Sequence, residues 1–75
     1  MPPLPIISGK QAVKAFEKDG WQFNRRRGSH MILTKPGMQS TLSIPDHKEI
    51  GRGLLKTLIK DSGLSVEEFV NLLKQ

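Results

Sequence analysis

WQFNRRRGSHMILTK, residues 21–35, is the stretch whose reading decides the fold. Trp21, Phe23 and Arg25 share one parity and Gln22, Asn24 and Arg26 the other, the alternation of a strand whose aromatic side faces a core. Gly28-Ser29 then makes a glycine-led turn, and His30 to Lys35 is the returning strand. In that second strand Met31 and Leu33 point one way, and His30, Ile32 and Thr34 the other. Burying Met31 and Leu33 leaves His30 in solvent with Ile32 half-exposed beside it. The opposite choice buries the imidazole and is the poorer one. The predicted hairpin thus delivers a histidine to the surface across a two-residue turn from three consecutive arginines.

Working outward, Lys35-Pro36-Gly37-Met38 reads as a type II turn, with proline setting one central residue and glycine supplying positive φ at the next. Thr41-Leu42-Ser43-Ile44 alternates as a third strand, and Pro45 ends it. On the N-terminal side, Ser8-Gly9-Lys10-Gln11 is an S-x-x-Q capping box, Ala12, Val13 and Phe16 form a narrow apolar stripe, and Gly20 is a left-handed stop. These signals predict a helix over residues 9–19, and they place Trp21 and Phe23 together in the core. Beyond the third strand, Gly51-Arg52-Gly53 starts a second helix with Leu54, Leu55, Leu58 and Ile59 as its apolar face, Arg52, Lys56 and Lys60 as its outer row, and Gly63 as its stop. Ser65 and Glu68 form a second capping box, Leu64 and Phe69 a hydrophobic staple, and Val66, Phe69, Val70 and Leu73 the stripe of a last helix. The predicted order is α-β-β-β-α-α in one domain over residues 1–75. The fold class is α+β, with a three-stranded antiparallel sheet packed on one face against helices in two layers.

Seventy-five residues leave room for one thin core and no deep cavity, so a substrate is expected to lie across the surface. Cysteine is absent, which removes disulfides and thiolate metal sites. The opening segment, Met1 to Ile7, is apolar and broken by proline without a basic start, so it is read as no signal peptide. With no apolar run of membrane-spanning length, a soluble, cytoplasmic chain without a membrane partner is expected. The formal net charge is +5, unevenly placed: residues 1–60 carry eleven Lys/Arg against four carboxylates, and residues 61–75 one lysine against three carboxylates. The basic part is the part that holds the hairpin, and such a field favours a polyanion or an acidic protein as partner.

His30 is the best reactive candidate. RNA carries its own nucleophile in the 2′-hydroxyl, so a base need only take that proton and an acid protonate the leaving 5′-oxygen; an imidazole suits either task. Arginines beside it would neutralise charge developing on the phosphorus. The candidate RNA contacts in the hairpin are Arg25, Arg26, Arg27 and Ser29, though three arginines on one strand cannot all face one way. Lys35, Lys48, Arg52 and Lys56 complete the set. Asp46-His47-Lys48-Glu49 lacks a zinc spacing, and His47 is read as a loop histidine bonded to Asp46 or to a backbone carbonyl. No metal and no cofactor are called for. The competing readings are a non-catalytic basic RNA-binding module and a basic domain whose partner is an acidic protein.

The ordered set formed by Ser8-Gly9-Lys10, the aromatic after Gly20, Arg25, Arg27-Gly28-Ser29-His30, Ile44-Pro45-Asp46-His47-Lys48-Glu49, Gly53, Leu55, Leu58, Ile59 and Gly63-Leu64-Ser65 resembles the HicA family of bacterial toxins. The resemblance runs over nearly the whole length. It implies a fold like that of double-stranded-RNA-binding domains, a ribonuclease that cleaves mRNA without metal, and a HicB-type antitoxin as partner. It also implies a free toxin that is monomeric and hetero-oligomeric once neutralised, and it maps the family's catalytic histidine onto His30. Two departures stand out: Leu54 replaces the threonine that often follows the glycine opening the second helix, and the Arg25-Arg26-Arg27 run is more basic than the usual pattern.

Overall fold

Local signals place the elements where the residue pattern puts them. The computed structural model describes residues 4–75; Met1, Pro2 and Pro3 of the apolar opening segment lie outside the described residues. The order is α1 (Gly9–Lys18), β1 (Gln22–Arg27), β2 (His30–Thr34), β3 (Leu42–Pro45), α2 (Arg52–Ser62) and α3 (Val66–Lys74). At the start of α1 the Ser8 hydroxyl accepts from the Gln11 N–H at 3.1 Å, while Gln11 Oε1 accepts from the Ser8 N–H at 2.9 Å, closing the capping box. The helix ends in a Schellman motif: Trp21 N–H donates to Phe16 O, Gly20 N–H donates to Glu17 O, and Gly20 takes φ 104°. Trp21 and Phe16, the apolar pair of that motif, are both buried. The Trp21 indole N–H is enclosed without a hydrogen-bond partner among the described residues.

β1, β2 and β3 form one antiparallel sheet in that spatial order. Gly28 opens the hairpin turn at φ 59° with Ser29 at negative φ, the pattern of a type II′ turn whose twist suits the strands. The turn after β2 is type II, closed by Met38 N–H donating to Lys35 O at 3.0 Å around Gly37 at φ 85°. Met31 and Leu33 of β2 and Leu42 and Ile44 of β3 are buried on one face against the helices, while His30 and Ser43 are exposed on the other. A Phe16–Phe69 contact, with ring centroids 4.9 Å apart, joins α1 to α3 within this core. The architecture is therefore two-layer α+β, as the hydrophobic pattern predicts.

Two core assignments need correction. Phe23 is 49% exposed, not buried with Trp21. It is the register partner of Leu33, so it lies on the helix side, but β1 is an outer strand and the helix layer does not extend over it. Leu54 is 41% exposed, because α2 buries only Leu55, Leu58 and Ile59 of its apolar residues.

One glycine is required by space. A Cβ on Gly9 would stand 1.9 Å from the Pro45 carbonyl oxygen, and Gly9 N–H donates to His47 O at 2.9 Å. The first turn of α1 is thus pressed onto the backbone that leaves β3. Gly9→Ala is expected to destabilise the protein by about 1–3 kcal/mol, the usual cost of overpacking. At roughly 4–8 °C per kcal/mol for a domain of this size, the loss is readable as a lower melting temperature. At α3, hydrogen bonds to Glu68 from the Ser65 backbone N–H first, and from the Ser65 hydroxyl second, hold its carboxyl below the ordinary value. A lowered folded-state pKa adds stability above the unfolded value and loses it as pH falls through the folded one. Glu68→Gln should therefore flatten the acid limb of a stability-against-pH curve and leave the curve at neutral pH with the same slope.

Candidate functional site

The geometry of the hairpin turns on a single irregular residue. Phe23 pairs with Leu33 and Arg25 with Ile32, so Asn24 is an extra residue, a β-bulge in β1. Simple alternation would give Arg25 the aromatic parity. The bulge shifts everything after it by one, so that Arg25 pairs with Ile32, Arg26 with Met31 and Arg27 with His30. Partners across an antiparallel ladder share a face. Arg25, Arg27 and His30 therefore all stand on the open face of the sheet, with Ile32 half-buried between them and Ser43 beyond on β3.

His30 is the first residue of β2, exposed, with Arg27 directly opposite on one side and Pro45 on the other. The imidazole is held by backbone pairing on both flanks while its ring remains accessible. An anion lying on this face would meet two guanidinium groups on one strand and an imidazole on the next, with adjacent strands about 4.8 Å apart. Such a site can neutralise a phosphate and move a proton beside it.

Arg26 goes elsewhere. The bulge turns it to the helix side, where its Nη2 donates to Asp46 Oδ2 at 3.0 Å. Ser29 stays at the tip, and its carbonyl accepts from the Asp46 N–H at 2.7 Å. His47 is exposed, and its carbonyl, rather than its ring, receives the Gly9 N–H. The carboxylate of Asp46 is turned to Arg26 and not to His47.

The remaining basic candidates are not gathered around His30. Lys35 follows the far end of β2, roughly 16 Å away at about 3.3 Å per residue, and its Nζ is paired with Asp19 Oδ2 at 3.0 Å. Arg52 Nε donates to the Leu4 carbonyl at 2.8 Å, tying down the N-terminal segment. Lys56 is exposed on α2, in the helix layer, on the opposite side of the sheet from the open face. Lys48 is exposed in the loop after β3. Asp46 is the residue that reading the sequence missed as part of this neighbourhood. Its only signal there was its place after the strand-ending Pro45, since a contact across twenty residues leaves no local pattern.

No described helix is long and apolar enough to cross a membrane. A family model described as the HicA toxin of bacterial toxin-antitoxin systems matches residues 9–64, a span that holds α1, all three strands, α2 and the whole hairpin site. No curated protein matches the chain.

Proposed function

The chain belongs to the HicA toxin family and is the toxin of a toxin-antitoxin pair, and from that premise we propose that it is a metal-independent endoribonuclease acting on mRNA in the cytoplasm with His30 as general acid/base. The observation that carries this reading is the sharing of one open sheet face by Arg25, Arg27 and His30, with Arg27 and His30 as direct cross-strand partners. In the proposed step the 2′-oxygen loses its proton and bonds to phosphorus, and the bond from phosphorus to the 5′-oxygen breaks as that oxygen gains a proton. The products are a 2′,3′-cyclic phosphate and a 5′-hydroxyl, so no outside nucleophile is consumed. His30 serves one or both proton transfers, and Arg25 and Arg27 neutralise the charge that builds on the phosphoryl oxygens. A single acid/base group supplies typically ~10²–10⁴-fold, so a slow enzyme is expected.

The antitoxin partner follows from the family. We infer that it is of HicB type and acidic where it meets the toxin, and that it silences the free monomer by covering the open face in a hetero-oligomer. Covering that one face would remove the imidazole and both arginines from substrate together.

RNA cleavage by purified protein in excess EDTA, wild type beside His30→Ala, tests the assignment. Wild type should cut and leave cyclic-phosphate ends, and His30→Ala should fold and bind RNA alike without cutting. Equal cleavage by the two proteins would remove His30 from the chemistry, and binding without cleavage by either would leave a basic RNA-binding module. The arginines are checked by salt titration of binding to single-stranded RNA with the His30→Ala protein as background. Arg25→Ala and Arg27→Ala should each lower the slope of log K against log salt by about 0.7, the value for one lost phosphate contact. Lys35→Ala, already paired at the far end of the sheet, should leave it unchanged.

A further inference from the structure

β2 is flanked by β1 on one side and β3 on the other, and the β3 partner of His30 is Pro45, at a non-hydrogen-bonded position of the ladder where no N–H is needed. The ladder bond that flanks this pair, the last before the turn, comes from Asp46. Its N–H donates to Ser29 O at 2.7 Å, and its Oδ2 accepts from Arg26 Nη2 at 3.0 Å. Arg26 stands on β1 opposite Met31, next to His30 in the chain. One outer strand is thus linked by a side chain to the segment that leaves the other outer strand. That segment is itself anchored, because Pro45 O fills the space where a Gly9 Cβ would be and His47 O receives the Gly9 N–H at 2.9 Å.

We propose that Arg26 and Asp46 are positioning residues for His30: a brace that closes the end of the sheet and holds the Gly28-Ser29 turn and the first residue of β2 in place. The inference rests on the ribonuclease reading of His30. Arg26 is then not a phosphate ligand, because it faces the helix side and its guanidinium is committed to a carboxylate. The brace acts locally, since both partners are partly solvated, at 47% and 24% side-chain exposure, and such pairs add little to global stability. Its effect falls on the geometry of the tip, and proton transfer is sensitive there, since a 1 Å misplacement can cost ~10²-fold in rate.

The experiment compares wild type with Arg26→Gln, Asp46→Asn and the double variant. A brace predicts that each single variant lowers kcat by a similar factor, on the order of 10-fold, with KM and melting temperature close to wild type. It also predicts that the double variant falls no further than either single one, since both changes break one contact. A phosphate grip predicts opposite signs: Arg26→Gln raises KM, while Asp46→Asn removes a negative charge near a polyanion and lowers it. That outcome overturns the brace. A second readout needs no cleavage, namely amide hydrogen exchange in the free protein. Exchange at His30 and Asp46 should quicken in both single variants, with Leu33 and Leu42 at the far end of the sheet unchanged. Unchanged exchange at His30 and Asp46 refutes the brace whatever the activity. Faster exchange in a protein whose wild type does not cut keeps the brace and removes the ribonuclease reading.

Discussion

The close approach of the α1 N-terminus to the backbone after β3 is the constraint on which the rest depends. Gly9 has no side chain because the Pro45 carbonyl occupies the place of one, and the Gly9 N–H, a helix-start donor without an intrahelical partner, is satisfied by the His47 carbonyl. That crossing sets the distance between the helix layer and the end of the sheet. It also anchors Pro45, Asp46 and His47 to α1 as one corner. The corner then meets the hairpin tip through Asp46 and the Ser29 carbonyl. A helix start, a strand end and a turn distant in sequence are thereby held together by a few backbone contacts.

The corner carries the last ladder bond of the sheet. Pro45 sits at a non-hydrogen-bonded position opposite His30, where its missing N–H costs nothing toward β2, and the flanking bond is donated by Asp46 to Ser29 O. The helices cover the face of Met31, Leu33, Leu42 and Ile44 and leave the other face bare. Among the described residues the buried side chains form one core. The open face and the strand end held by the corner are where the proposed chemistry sits. The proposed reaction suits that placement, because RNA brings its nucleophile and the protein need only supply charge and a proton carrier.

Most elements were legible in the sequence because they are local. Both capping boxes, the Gly20 and Gly63 stops, and the two turns rest on residues within four positions of one another, and each is present. The exposure of His30 was legible for the same reason, since burying Met31 and Leu33 decides it. The bulge was not. One extra residue at Asn24 has no compositional mark, yet it moves Arg25 from the aromatic parity to the open face and sends Arg26 to the helix side. The exposure of Phe23 was hidden too, because alternation reveals which face a residue shares but not how far the opposite layer reaches. The pairing of Lys35 and Arg52, both candidate RNA contacts by sequence, was hidden because their partners, Asp19 and the Leu4 carbonyl, lie 16 and 48 residues away.

The arginine run therefore resolves into two physical roles that composition cannot separate. A strand of strict alternation would have put Arg25 and Arg27 on the covered side and left only Arg26 beside the imidazole. With the bulge, two cations face outward and the third turns inward to the carboxylate of Asp46, a residue whose backbone N–H donates to the Ser29 carbonyl of the turn. The inward charge would be costly on an apolar face, and Asp46 offsets it at the partly solvated edge where the helices end. The same residue type thus faces solvent on the open face in two places and, in the third, meets the fold. The difference between them is set by register, not by charge.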